Sequence, residues 1–286
     1  MYQNNRDIFF RSKILNCAGH TLVLSRPQVM GIINITPDSF FSESRHIEVS
    51  SALRCAERML KEGVDIIDIG GESTRPNAVP VTLQEELDRI IPVVESIANQ
   101  VPVPISLDTS NPKVMEAAIA HGAGFINDIR GLEQPGAVEM VAQLRVPVCI
   151  MHMQGFPSTM QNLPTYIDVV SEVKSYLRKR ISTCVANGIH RSRIVIDPGF
   201  GFGKNLTHNL RLLRELNKFQ TLRCPILVGV SRKSMIGQVL NVPIQERLYG
   251  SISAAVIAFM RGATIIRVHD VQPIVQALRM AEAVLQ

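Results

Sequence analysis

The chain of 286 residues has no tryptophan, and aromatic residues make up only 5% of it. Its five cysteines (Cys17, Cys55, Cys149, Cys184 and Cys224) are scattered, odd in number and free of any CxxC pair. That spacing argues against a disulfide framework and a cysteine-held zinc, and for a reducing, cytoplasmic setting. No apolar run approaches the ~20 residues needed to cross a bilayer, so no membrane partner is expected. The opening stretch MYQNNRDIFFRSKIL lacks a long apolar core ending in small residues and does not read as a secretory leader. Low-complexity tracts and linkers rich in Gly, Pro or Ser are missing too.

What is present is a large apolar fraction, 46% of residues, and a modest formal charge of +5. The basic residues are dispersed except for Lys174, Arg178, Lys179, Arg180, Arg191 and Arg193. These read as a solvated helix face, so no nucleic-acid partner is expected. A small positive excess suits anionic small substrates.

Along the chain, short β-branched runs alternate with longer amphipathic stretches. The strands expected are Val29–Asn34, Asp65–Gly70, Ile105–Asp108, Phe125–Asp128, Val148–His152, Ile194–Asp197, Ile226–Gly229 and Ile265–His269. Runs of this kind fit a parallel sheet buried on both faces. Helices are expected at Ser51–Glu62, Leu83–Asn99, Pro112–His121, Tyr166–Ala186, Asn209–Phe219 and Gln272–Leu285. Asn111-Pro112 supplies an N-cap and a first-turn proline, while Gly63, Gly122 and Gly188 follow helix ends.

Eight such βα units imply an α/β fold, a single-domain (β/α)8 TIM barrel. An open doubly wound sheet would gather its ligand groups at one switch point, whereas here polar groups end nearly every strand. The barrel is expected over 29–286. Residues 1–28 precede it, with Ile8–Leu15 and Thr21–Leu24 as a hairpin closing its bottom.

The strand ends carry the chemistry. Asn34, Asp68, Asp108, Asn127-Asp128, His152, Asp197, Ser231-Arg232-Lys233-Ser234, Arg267 and His269 all fall there. One buried charge has an ordinary explanation as half of a core ion pair. Polar groups at eight strand ends point instead to the C-terminal face of a barrel, where catalytic residues sit. Asp108, Asn127, Asp197 and Lys233 offer acceptors, an amide and a donor, and a carboxylate can accept two parallel bonds from an N–C–N edge such as an aminopyrimidinone. Arg267, His269 and Asn34 are neighbours around a closed barrel and suit an anion that leaves as pyrophosphate.

The turn Pro198-Gly-Phe-Gly-Phe-Gly-Lys204-Asn205 lacks the first glycine and the Ser/Thr of a nucleotide-triphosphate loop, so it reads as a flat aromatic wall. Ser231–Ser234 opens a helix whose N-terminal amides can hold a carboxylate. Met151, Met153 and Met160 read as pocket or core filler rather than a soft-metal site. His20, His46, His121, His190 and His208 have no metal spacing, and no protein-held zinc is expected.

The segments MGIINITPDSF, DIIDIGGESTRPNA, ISLDTSNP, INDIRG, MHMQG, IDPGFGFGKN, LVGVSRKSMIG and IIRVHDV, from about Val29 to Asp270, resemble the signatures of the dihydropteroate synthase family. The resemblance implies a transferase of folate biosynthesis, a homodimer, that condenses 6-hydroxymethyl-7,8-dihydropterin diphosphate with p-aminobenzoate. Pyrophosphate leaves first, and the aniline nitrogen attacks a pterin methylene cation. Carried over by motif, Asp108, Asn127, Ile129, Met151, Asp197 and Lys233 hold the pterin. Asn34, Arg267 and His269 receive the diphosphate, with Asn34 also on Mg²⁺. Phe40, Thr74, Arg75, Pro76, Phe202, Lys233 and Ser234 border p-aminobenzoate and its sulfonamide mimics. Asp38, Ser39 and Glu43 belong to a mobile loop.

In that loop the family usually continues with Ser-Asp-Gly-Gly, where this chain has Phe41-Ser42-Glu43-Ser44-Arg45. Asn77 replaces a frequent glycine in the next loop. The change at Ser42–Arg45 motivates a second reading, a pterin-binding barrel without catalysis. A third is a methyltetrahydrofolate methyltransferase barrel, which Ser231–Ser234 and Arg267/His269 fit less well.

Overall fold

Strands that are apolar on both faces need a cover on each side, and a closed barrel wrapped in helices supplies both. The computed structural model describes residues 14–35, 42–71, 81–155, 160 and 164–285, with side chains in the first helix described from Val49 onward. After a hairpin of β1 (Ile14–Cys17) and β2 (His20–Val23) come eight strands: β3 (Gln28–Asn34), β4 (Ile66–Gly70), β5 (Ile105–Asp108), β6 (Phe125–Asp128), β7 (Val148–Met151), β8 (Ile194–Asp197), β9 (Leu227–Gly229) and β10 (Ile265–Val268). They form one parallel sheet in the order β8-β7-β6-β5-β4-β3-β10-β9. A parallel bridge from Ile196 to Ile226 joins its two edges. The fold is therefore the eight-stranded α/β barrel expected.

Helix boundaries follow local chemistry. Thr82 and Glu85 make a reciprocal capping box at the start of Leu83–Ala98, and Asn111 caps Pro112–Ala120 through the Lys113 amide. The helix expected from Tyr166 starts later, at Val169, because Asp168 accepts the Val170 and Ser171 amides as its N-cap. The helix expected over Asn209–Phe219 is instead Leu206–Arg214 followed by a 3₁₀ segment, Leu216–Leu222. Asn205 and His208 form a capping box that sets the earlier start. The first helix spans Ser42–Glu62 and so takes in the Ser42–Arg45 segment. With no glycine there, nothing in the local sequence opposes helix.

The hairpin overlaps the expected one: its second strand starts one residue earlier than Thr21, and its first is described from Ile14, residues 1–13 lying outside the described part. Its turn is Ala18-Gly19, with φ of 50° and 97°, the doubly positive pattern of a two-residue hairpin turn. Leu15, Cys17, Leu22 and Leu24 pack on Met30, Ile66, Phe125, Cys149, Val195, Leu227 and Ile265, a cluster separate from the core between sheet and helices. These strand residues are the inward-facing layer at the N-terminal end of the barrel. Two positions further along, β4, β6, β7, β8 and β10 present Asp68, Asn127, Met151, Asp197 and Arg267 on the same face, and β3 and β9 present Ile32 and Gly229. One end of the barrel is apolar and closed by the hairpin; the other is polar.

The closure is tight at Gly124, where a Cβ would lie 2.3 Å from the Cys17 carbonyl oxygen. Gly124→Ala is expected to destabilise the protein by about 1–3 kcal/mol through overpacking, read as a lower urea midpoint at unchanged slope.

Candidate active site

At the centre of the polar end is a guanidinium held by two carboxylates. Arg267 Nε donates to Asp68 Oδ2 at 2.6 Å and Nη2 to Asp108 Oδ2 at 2.7 Å. Asn127 Nδ2 donates to the same Asp68 oxygen at 3.2 Å. Asp68 is fully buried, and Asp108 and Asn127 nearly so. Burial pulls Arg267 downward, but Asp68 and Asp108 outweigh it and hold the guanidinium above its usual range. Burial also lifts Asp108, to about 7, against the pull of Arg267, while Asp68, Asp128 and Glu86 push with burial. Asp108 thus spends Oδ2 on Arg267 and keeps Oδ1 for another donor.

The opposite wall comes from β8 and β9. Asp197 Oδ1 accepts the Gly199 amide at 2.7 Å. Burial raises its carboxyl, opposed by that bond and by Lys233, Lys204 and Arg267. Lys233, just before the helix Ser234–Leu240, donates Nζ to the Phe200 carbonyl and sits 4.3 Å from the Phe202 ring centroid. Burial lowers Lys233 to about 8, with Asp197 opposing. The lysine that the sequence places in the glycine-rich turn has another duty. Lys204 is 2% exposed, and its Nζ reaches His152 Nδ1 (3.0 Å) and the carbonyls of Gly199 (2.8 Å), Phe202 (2.9 Å) and His152 (3.3 Å). It ties the turn to the end of β7. Gly199, at φ 73°, could carry no Cβ, since one would lie 1.9 Å from the His152 carbonyl oxygen. The turn is thereby fixed as a wall, with Met151 and Ile129 buried beside it.

At the rim, Asn34 ends β3 and is exposed, paired in register with Gly70. His269 follows β10, and its ring Nδ1 lies 3.0 Å from Ser231 Oγ. Ser234 is exposed at the first turn of its helix, and Phe202 is half-buried. Among the described residues no group of three or more His, Cys, Asp or Glu could hold a metal ion. Asp38, Ser39, Phe40, Thr74, Arg75, Pro76 and Asn77 lie outside the described residues. Glu43 lies within the helix Ser42–Glu62, its side chain not described.

A family model described as pterin binding enzyme matches residues 30–269. The dihydropteroate synthase of Escherichia coli K12 is 54% identical over 267 residues, 93% of this chain and 95% of that protein. That of Haemophilus influenzae is 50% identical over 262 residues, covering 92% and 95%. The chain belongs to the dihydropteroate synthase family of pterin-binding enzymes. Among solved structures, the Yersinia pestis dihydropteroate synthase with a sulfonamide drug superposes with a TM-score of 0.90 at 52% identity, covering 95% of this chain and 99% of that one. The Xanthomonas albilineans dihydropteroate synthase in complex with 7,8-dihydropteroate gives 0.87 at 44%, covering 96% and 99%. As a dihydropteroate synthase, the chain is a transferase of folate biosynthesis.

Asp68 and Ser231 were visible at strand ends but without a role, which their hydrogen bonds to Arg267 and His269 now supply. Lys204 gave no such signal, because a lysine in a turn is ordinarily solvated and its burial comes from the fold.

The Asp108 shift has a consequence for pH. Below about 7 Asp108 is protonated and loses acceptor capacity for an N–H edge; above it the carboxylate is restored. Affinity for an aminopyrimidinone ligand whose own ring does not titrate in this window is expected to rise from pH 6 to pH 8. Calorimetry at several pH values checks this, and the rise due to Asp108 should be lost in Asp108→Asn, leaving the dependence of Lys233, which burial lowers to about 8.

Proposed function

We propose that the ring of strand-end side chains condenses 6-hydroxymethyl-7,8-dihydropterin diphosphate with p-aminobenzoate, with a division of labour set by its two walls. The observation that carries this reading is the pair of buried carboxylates, Asp108 and Asp197, with Asn127 and Lys233 around one opening. Among the described residues, each carboxylate has one oxygen without a protein hydrogen bond, suited to the N–H groups of a pterin edge. Asn127 can donate and accept, Lys233 donates, and Ile129 and Met151 form the apolar faces.

The step follows from this holding. The methylene C–O bond breaks and its electron pair leaves with the diphosphate. The resulting cation is delocalised into the pterin ring, whose N–H groups remain bonded to carboxylates in a water-poor site. Arg267 and His269 stabilise the negative charge on the departing oxygens. The p-aminobenzoate nitrogen then donates its lone pair to the methylene carbon, and its proton is released. Thr74, Arg75, Pro76, Phe40, Phe202, Lys233 and Ser234 border this second substrate, and sulfonamides compete for the same place. Asp38 and Ser39 serve the loop that covers the reacting centre; Glu43, expected in that loop, belongs instead to the first turn of the helix Ser42–Glu62.

The residues fit Mg²⁺ in one mode. A single amide oxygen from Asn34 at the rim matches an ion that keeps several waters and is held mainly by substrate phosphates. When bound, Mg²⁺ neutralises charge on the diphosphate.

No helix among the described residues is long and apolar enough to cross a membrane, and the five cysteines are free thiols, which supports a cytoplasmic location. A homodimer accounts for the helix Leu248–Met260, which is apolar on both faces and leaves Tyr249, Ile257 and Met260 exposed. Light scattering should give twice the chain mass, and Ile257→Lys with Met260→Lys should give monomers.

The deciding experiment supplies purified protein with Mg²⁺ and each substrate singly or together. Pyrophosphate is expected only with both substrates, and none with both would sink the catalytic reading in favour of a pterin-binding barrel. Asp197→Asn should weaken pterin affinity about tenfold or more, since an amide cannot accept two bonds from the heterocycle edge.

A further inference from the structure

Ser231 and His269 are joined twice. The His269 backbone amide donates to Ser231 Oγ at 3.2 Å, and the ring Nδ1 lies 3.0 Å from the same oxygen. Ser231 is 6% exposed, just beyond β9, and β9 is the direct neighbour of β10. The next residues repeat the tie. Arg232 grips Asp270 with Nε and Nη2 at 2.8 and 2.7 Å, and its amide donates to Ser251 Oγ at 2.9 Å. Arg232 holds a left-handed φ of 55°, a conformation that a non-glycine residue keeps only when its surroundings fix it. The pairs 231–232 and 269–270 are therefore locked side by side.

A hydroxyl has one proton to give. Ser231 Oγ already accepts the His269 amide, and among the described residues no acceptor for its proton is within hydrogen-bonding distance except His269 Nδ1. A proton on Nδ1 would leave the buried hydroxyl hydrogen without a partner. The remaining arrangement has Ser231 donating to Nδ1, which puts the ring proton on Nε2, the atom facing away from Ser231.

We propose that Ser231 is a positioning residue that fixes His269 as its Nε2–H tautomer, a directed neutral donor for a phosphate oxygen at the barrel mouth. This rests on the reading that His269 receives the diphosphate. Although His269 reaches solvent, burial of its inner edge and the Arg267 guanidinium lower its pKa to about 4. Arg232 and Lys233 push the same way and Asp270 opposes. A neutral ring with a wandering proton would present a donor only part of the time; one with Nδ1 occupied presents it always. Ser231 thus acts through His269, without touching the reacting atoms.

The test uses full-length protein labelled with ¹⁵N-histidine, with His269 assigned by its loss in His269→Gln. Long-range proton–nitrogen spectra of the wild type are expected to show His269 protonated on Nε2 with Nδ1 bare; an Nδ1–H pattern overturns the proposal without any variant having to fold. Ser231→Ala is expected to give mixed tautomers and to lower kcat on the order of tenfold, less than the roughly hundredfold loss that follows removal of an oxyanion donor. The KM for p-aminobenzoate should stay unchanged. Ser231→Thr keeps the hydroxyl and should restore both tautomer and rate. An unaltered tautomer in Ser231→Ala overturns the proposal. Unchanged kcat and pyrophosphate affinity in His269→Gln instead overturn the diphosphate reading, whatever the tautomer.

Discussion

The polar end of this barrel depends on one guanidinium. Arg267 projects from β10 between two buried carboxylates, Asp68 and Asp108, and bonds to both at once. Without it Asp68 and Asp108 would face each other uncompensated; breaking such a buried pair typically costs about 3–5 kcal/mol. With it, the carboxylates are held in register across β4 and β5, and Asn127 completes the row from β6. On the proposed reading, recognition of the heterocycle is built on this arrangement, because a site that must present acceptors in a dry cavity needs a cation to keep them there. On that reading the same cation also meets the charge that develops on the leaving diphosphate, so that stability and catalysis would draw on one side chain.

The second wall solves a different problem. A turn of three alternating glycines has few side chains to hold it in shape, Phe200 being the one buried in the core, yet it must support Lys233 and Phe202. The fully enclosed Lys204 supplies the missing framework by gathering the carbonyls of the turn and the end of β7. His152 accepts from it, and burial followed by the nearby ammonium keeps that imidazole neutral, with a pKa of about 2. Burial pulls the Lys204 amine well below its usual range, with Asp197 opposing, so its hold on the wall rests on the hydrogen bonds it makes.

The barrel itself could be read from the chain because its evidence is repetitive. β5, β6 and β8 lie where their β-branched runs place them, and the remaining strands differ by a residue at an end. The polar strand ends were legible for a related reason: an aspartate closing an apolar run is costly wherever it lies, and so is conspicuous. Direction was harder to read. The expectation for Arg267 named an anion and no protein partner; its hydrogen bonds run to Asp68 and Asp108, across the barrel rather than along it. Nothing in IIRVHDV encodes which neighbour a side chain will cross to. The burial of Ser231 and Lys204 was hidden because a serine or lysine in a turn is ordinarily solvated; only closure of the barrel buries them. Helix starts moved where a cap was overlooked, as at Asp168 and Asn205.

The hairpin Ile14–Val23 has a consequence at the far end of the molecule. By packing Leu15, Cys17, Leu22 and Leu24 onto the floor of the barrel it makes the interior a blind well. On the proposed reading, the heterocycle against Asp108, Asn127 and Asp197 and the second substrate at the rim use the one open end, so the heterocycle would enter before the rim is occupied. A turn of two residues on the sealed side, Ala18-Gly19, thereby bears on the traffic through the open one.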